Sequence, residues 1–245
     1  MSMQHKTALV TGGNSGIGYA TAKELKARGA AVIITGRRKE AVEKAAAELG
    51  VIPFVADQSC LGDTDRLAEE VKDRFGKLDI LFINAGITGS LPVEQATEKH
   101  FDDIMNINFK GAYFTLSKLI PLLADGASVV FLSSNTASMS GPGSSVYSAS
   151  KAALNSVMKI AALELAPRKI RVNAVSPGPT KTEVLNKGAF DGATLKLISE
   201  TLVNRIPLAK WGAAEDVAQM VVFLCGEPAN FITGADFLVD GGMSL

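Results

Sequence analysis

Short apolar, β-branched runs recur along the chain, each bounded by glycine or polar turn residues: Thr7–Thr11, Ala31–Thr35, Val51–Ala56, Ile80–Ile83, Ser128–Leu132, Arg171–Val175 and Asp236–Val239. Their residues are apolar in succession rather than alternately, the pattern of strands covered on both faces in a parallel sheet. Between them, apolar positions fall at helical spacing in Ile17–Arg28, Lys39–Leu49, Thr64–Phe75, Thr97–Leu123, Tyr147–Leu165 and Ala214–Leu224. This alternation predicts right-handed crossovers and a doubly wound α/β sheet of seven mostly parallel strands with helices on both faces. An eight-stranded barrel would need a further strand–helix unit, which the pattern lacks. No linker, repeat or low-complexity tract divides the chain, so residues 1–245 are expected to form one domain. Periodicity weakens only from Pro177 to Lys210, and a long irregular segment in such a fold predicts a lid over the ligand, at residues 183–208.

Composition narrows the partners. Lys plus Arg and Asp plus Glu both total 25, so no basic footprint for nucleic acid is visible. No apolar run approaches bilayer length, and Met1 to Lys6 lacks the apolar stretch of a secretory leader, so no membrane partner is expected. Cys60 and Cys225 are the only cysteines, which predicts no disulfide framework and a reducing, cytoplasmic setting. His5 and His100 have no partner at metal-ligand spacing, so no metal site is expected.

The first strand leads into Thr11-Gly12-Gly13-Asn14-Ser15-Gly16-Ile17-Gly18. Gly12 permits a tight turn, Gly16 lets backbone approach a pyrophosphate, and Gly18 lets the helix pack closely. The helix N-terminus then offers N–H groups and a positive dipole end to phosphates. A glycine spacing means little by itself, but between a strand and a helix at the start of a βαβ unit it predicts a Rossmann-like dinucleotide site. Gly12, Asn14, Ser15, Gly16, Ile17 and Gly18 are the candidate contacts. The second strand ends in Thr35-Gly36-Arg37-Arg38-Lys39, where an NAD site usually carries an acid for the ribose hydroxyls. Arg37 and Arg38 can instead hold a 2′-phosphate by forked, charge-assisted hydrogen bonds, favouring NADP(H) over NAD(H).

Tyr147 and Lys151 lie one helical turn apart on one face. A nearby ammonium favours phenolate, so the tyrosine pKa is expected below its ordinary value of about 10. Such a group can exchange a proton with a carbonyl oxygen. Ser133 and Ser134 follow the strand Ser128–Leu132, at the edge where ligand chemistry gathers, and either hydroxyl could polarise a substrate oxygen.

Together, Thr11–Gly18, Asn84-Ala85-Gly86, Asn108, Ser134, Tyr147 and Lys151 resemble the short-chain dehydrogenase/reductase family, and the similarity runs from Lys6 to Asp240-Gly241-Gly242. The resemblance implies that Ser134 orients the substrate carbonyl and Tyr147 is the acid/base. Lys151 would bind the nicotinamide ribose, and Asn108, chosen over Asn106 by its spacing to Gly111, would hold a relay water. Asp57 would meet the adenine, with Gln58 beside it contributing mainly backbone where the family often has an apolar residue. Asn84, Ala85 and Gly86 would pass the adenine ribose, although Asn84 could equally bridge neighbouring strands. Pro177, Gly178, Thr180 and Thr182 would position the nicotinamide amide. The Gly36-Arg37-Arg38 turn resembles that of NADP-dependent carbonyl reductases and secondary-alcohol dehydrogenases, which implies a small-molecule ketone or alcohol substrate. A 3-oxoacyl-thioester reductase would share every catalytic residue. A non-catalytic dinucleotide sensor would have no need of the Asn108–Ser134–Tyr147–Lys151 set, and a nucleotide-binding methyltransferase no need of the Tyr–Lys pair. The small and apolar residues of the fourth and fifth helical stretches, with the resemblance, imply a homotetramer, with a dimer next.

Overall fold

In a computed structural model describing residues 2–181 and 201–245, each of the seven apolar runs is a strand of one sheet. They are β1 (Thr7–Val10), β2 (Ala31–Gly36), β3 (Ile52–Val55), β4 (Leu78–Ile83), β5 (Leu123–Leu132), β6 (Arg171–Pro177) and β9 (Asp236–Val239). Every neighbouring pair is parallel, in the order β3-β2-β1-β4-β5-β6-β9. A separate parallel pair, β7 (Thr180–Lys181) and β8 (Gly212–Ala213), joins the chain on either side of the segment expected to be a lid. Thr182 and residues 183–200 of that expected lid lie outside the described residues.

Successive side chains on a strand point to opposite faces, and the core divides accordingly. Leu9, Leu81, Val129, Phe131 and Val172 pack under α3 (Leu61–Phe75), α5 (Ala112–Leu119) and α6 (Ser145–Leu165). Ala8, Val10, Ile80, Phe82 and Val130 pack under α1 (Gly16–Ala27), α2 (Lys39–Leu49) and α7 (Ala214–Cys225). The inner strands therefore need apolar residues at consecutive positions, which is why they read as unbroken runs. Phe82 and Phe131 are completely buried, one on each face, each worth about 1.5–3 kcal/mol of transfer free energy. Among the described residues no helix is long and apolar enough to cross a membrane.

Two expectations need correction. The stretch Thr97–Leu123 is not one helix but α4 (Glu98–Met105), a π-helical segment at Asn106–Gly111, α5, and a 3-10 turn at Ile120–Leu122 containing Pro121. A π segment adds a residue to the turn without changing the apolar pattern, and proline lacks the N–H that would continue the helix. β5 also begins five residues before the predicted start. Its register against β4 shifts between Leu78 and Ile80, and the intervening Ala124-Asp125-Gly126 conceals the strand. The winding direction reverses between β1 and β4, so the carboxyl ends of these strands border a crevice suited to a ligand.

Candidate active site

The proposed site residues within the described segments sit in or beside the loops leaving the carboxyl ends of the strands, or on helices facing them. After β1, Gly16 takes a left-handed conformation (φ 55°) that opens α1, and a Cβ on Gly18 would collide with the Gly12 carbonyl oxygen. Ser15 is the α1 N-cap, yet its side chain makes no capping bond, and the first turn has no acidic residue. The leading N–H groups of a twelve-residue helix therefore face the crevice uncapped by a side chain, an anion site by construction. Ile17 packs into the core beneath them. Asn14 reaches across to Gly36, whose missing Cβ leaves room for its side-chain oxygen. This contact ties the loop to the turn bearing Arg37 and Arg38, both exposed. Lys39 pairs with Glu43 at 3.9 Å, whereas Arg37 and Arg38 have no ion pair or side-chain hydrogen bond among the described residues. An uncapped helix end beside two uncommitted guanidinium groups fits a dinucleotide carrying an additional phosphate.

Asp57 ends the loop after β3. Its Oδ1 accepts from Ser59 N at 2.9 Å and Ser59 Oγ at 2.7 Å, and its own N–H donates to Asp63 at 2.9 Å. That backbone bond and the Arg66 guanidinium hold the Asp63 carboxyl below its usual range. Asn84 bridges strands, as one of its two expected roles proposed: Nδ2 donates to Thr11 O (2.8 Å) and Gly12 O (3.1 Å), while Thr11 Oγ1 accepts from Asn84 N and Ala85 N. Gly86 then passes over Asn108 and Lys151, where a Cβ would lie 3.1 Å from Asn108 Oδ1 and 3.6 Å from Lys151 Nζ.

Asn108 is fully buried in the π segment. Its Nδ2 donates to Ile87 O (2.9 Å) and Ser150 Oγ (3.3 Å), and Oδ1 accepts from Ile87 N (2.8 Å). Ser150 Oγ donates in turn to Tyr147 O at 2.7 Å. The side-chain N–H groups of Asn108 thus clamp the β4 exit loop to α6. Sequence reasoning missed both Ser150 and this clamp. Nor did it reveal that the Gln58 side chain, beside the backbone contact expected of that position, bonds Ala85 O and Ile107 O.

Ser134 and Tyr147 come together. Ser134 caps a short 3-10 turn, and its Oγ accepts from Thr136 N (3.2 Å) and Thr136 Oγ1 (3.0 Å). The Tyr147 side chain, in the first turn of α6, lies beside the Ser134 hydroxyl, near enough for that hydroxyl to lower the Tyr147 pKa. Ser133 is buried without a side-chain partner, so Ser134 is the serine facing Tyr147. Lys151 is buried with Nζ donating to Leu132 O at 2.8 Å, 5.9 Å from the Tyr147 ring centre. The expected fall in the tyrosine pKa does not occur in the free protein: burial pushes it up, against a smaller lowering by Ser134. Burial also pushes the Lys151 ammonium down to about 8.

Pro177 ends β6, Gly178 N donates to Val239 O at 3.1 Å, and Thr180 Oγ1 donates to Gly178 O at 3.0 Å. Gly178 is glycine because a Cβ would meet that of Asp240. Asp240 in turn anchors the C-terminal turn through Gly242 N and Ser244 N and bonds the Asn135 side chain next to Ser134. A cavity of about 170 Å³ lies behind this turn, lined by Pro179, Leu208, Lys210, Asp216 and Val239. Neither Tyr147 nor Ser134 lines it. Among the described residues no cluster of His, Cys, Asp or Glu could hold a metal ion.

The model of the family described as Enoyl-(Acyl carrier protein) reductase matches residues 12–244. The 3-oxoacyl-[acyl-carrier-protein] reductase FabG of Thermotoga maritima is 34% identical over 252 residues, covering 100% of both chains. A blue fluorescent protein from a metagenomic library, solved in complex with NADPH, superposes with a TM-score of 0.92 at 30% identity, covering 100% of both chains. The 3-ketoacyl-(acyl-carrier-protein) reductase of Brucella melitensis, complexed with NADH, gives 0.90 at 34% identity, covering 100% of both chains.

Proposed function

The chain belongs to the short-chain dehydrogenase/reductase family and is an oxidoreductase of the kind that binds a nicotinamide dinucleotide; on that premise we propose that it is NADP(H)-dependent, that it interconverts a ketone and a secondary alcohol, and that Tyr147 is its acid/base. The observation that carries this reading is the Tyr147–Ser134 hydroxyl pair at the strand edge, one helical turn from a buried lysine.

Ser134 Oγ accepts from Thr136 N and Thr136 Oγ1, so its own hydrogen points toward the Tyr147 oxygen and would turn to an oxygen seated between them. A carbonyl oxygen seated between the two hydroxyls is polarised by both. Burial keeps Tyr147 as the neutral phenol at neutral pH, so it holds a proton ready for that oxygen. The bound nucleotide supplies or takes the hydride at the carbonyl carbon. In reduction the Tyr147 O–H bond breaks and an O–H bond forms on substrate; oxidation reverses this. Lys151, under Gly86, binds the ribose beside the reacting carbon and favours the phenolate left on Tyr147. Pro177, Gly178, Thr180 and Thr182 position the nicotinamide amide, and Asp57 faces the adenine.

NADP(H) is preferred because Arg37 and Arg38 are free to take the 2′-phosphate and no carboxylate stands at the end of β2 to repel it. Arg37→Asp is expected to weaken NADPH binding by about tenfold to a hundredfold while NADH binding changes little. Fluorescence titration with both nucleotides measures this, and equal losses would contradict the assignment. A 3-oxoacyl-thioester reductase is the second reading, favoured by the full-length similarity to FabG. Comparing kcat/KM for simple ketones with that for a 3-oxoacyl thioester separates the two. The reading extends to a homotetramer, supported by exposed apolar residues on two faces: Tyr113, Ile160 and Leu163 on one, Phe223, Phe231 and Leu238 on the other. A reducing cytoplasmic setting is supported by the two free cysteines.

A further inference from the structure

Ile107 O, in the π segment that carries Asn108, accepts a hydrogen bond from a side chain outside the helix. That donor is Gln58 Nε2, at 3.0 Å, and the same nitrogen donates to Ala85 O at 2.9 Å. Both N–H groups of the amide are thereby spent on main-chain carbonyls. The opposite amide orientation would set Oε1 against two acceptors, so the pair fixes which way the side chain points. The junction is close-packed, because a Cβ on Gly111 would collide with the Gln58 carbonyl oxygen.

Each group that this amide joins leads into a different part of the site. Asp57 precedes Gln58 in the turn held by Ser59. Ala85 precedes Gly86, which covers Asn108 Oδ1 and Lys151 Nζ. Ile107 precedes Asn108, whose side chain clamps Ile87 and, through Ser150, the first turn of α6 at Tyr147. We propose that Gln58 is a positioning residue that couples the adenine end of the nucleotide site to the Asn108–Lys151–Tyr147 end, a role that rests on the oxidoreductase reading above. Removing its donors takes the side-chain tie from two carbonyls, loosens the π segment against the β4 exit loop, and lets Asn108 and Gly86 drift from the lysine beneath them.

The test uses Gln58→Met, which keeps length and removes both donors, and Gln58→Glu, which keeps shape but turns a carboxylate toward two carbonyl oxygens. Hydrogen–deuterium exchange on the free protein is read for the peptides containing Ile87 and Asn106–Gly111. Steady-state turnover with NADPH is read alongside. Faster exchange in both peptides is expected, with a fall in kcat of about tenfold for Gln58→Met, as two lost hydrogen bonds imply. A larger fall is expected for Gln58→Glu, with KM for the carbonyl substrate nearly unchanged in both. Unchanged exchange overturns the proposal, as does faster exchange with wild-type kcat. If Gln58→Met does not fold, Gln58→Asn, too short to reach both carbonyls, takes its place with the same readouts. The exchange arm needs neither nucleotide nor substrate, so a failure of the oxidoreductase reading is distinguishable from a failure of this one.

Discussion

Lys151 donates to Leu132 O from a buried position and forms no ion pair with a carboxylate among the described residues. Desolvation pushes its pKa from 10.5 down to about 8. The folded state therefore binds fewer protons than the unfolded chain between these values, and stability must rise with pH across that window. Below about pH 8 the whole cost of the buried charge is present; by pH 10.5 it is gone. Denaturant unfolding of the nucleotide-free protein is expected to show this gain relative to Lys151→Met, and parallel curves for the two proteins would contradict it. The cation is thus held against its preference where the proposed chemistry needs it. The four-residue spacing of Tyr147 and Lys151 was readable from the sequence, because helical geometry fixes it. The direction of the tyrosine shift was not, because burial outweighs the lowering by Ser134 and burial has no local sequence signal.

Helix α6 has two characters. One face buries Val146, Ser150, Lys151, Leu154, Met158 and Leu165 against the sheet, while Ile160 and Leu163 stand out, the latter 78% exposed. Tyr113 on the neighbouring α5 adds to the apolar outer surface. A charge at Leu163 is expected to reduce the assembly by one level, from tetramer to dimer, with the melting of each subunit little changed. Light scattering of Leu163→Glu checks this, and a mass equal to wild type would contradict the interface. The strands and most helices were legible because parallel strands buried on both faces leave unbroken apolar runs. The Asn106–Gly111 π segment and the start of β5 were not, since one shifts hydrogen bonds without shifting the apolar pattern and the other hides behind a register change. The clamp made by Asn108 and the amide bridge of Gln58 were hidden for the same reason: both depend on where the π segment directs its neighbours.

At the scale of the whole molecule, the doubly wound sheet delivers seven strand ends to one edge, and residues distant in sequence meet there. Asn84 reaches the Gly12 loop, Gly86 covers Lys151, and Ser134 meets Tyr147. The expected placement of the candidate site at that edge followed from strand–helix alternation, which the sheet order reproduces. Position along the chain left Ser133 and Ser134 open, the family resemblance pointed to Ser134, and in the fold Ser134 is the serine beside Tyr147. On the function proposed above, a hydride passes from NADPH to a ketone at this edge while Tyr147 provides the proton. The most direct test is single-turnover oxidation of NADPH by saturating ketone, followed at the nicotinamide absorbance in the wild type and in Tyr147→Phe, with NADPH affinity titrated in both. The account predicts unchanged affinity and a rate reduced by about a hundredfold to ten-thousandfold in Tyr147→Phe; a near-wild-type rate in that variant would contradict it.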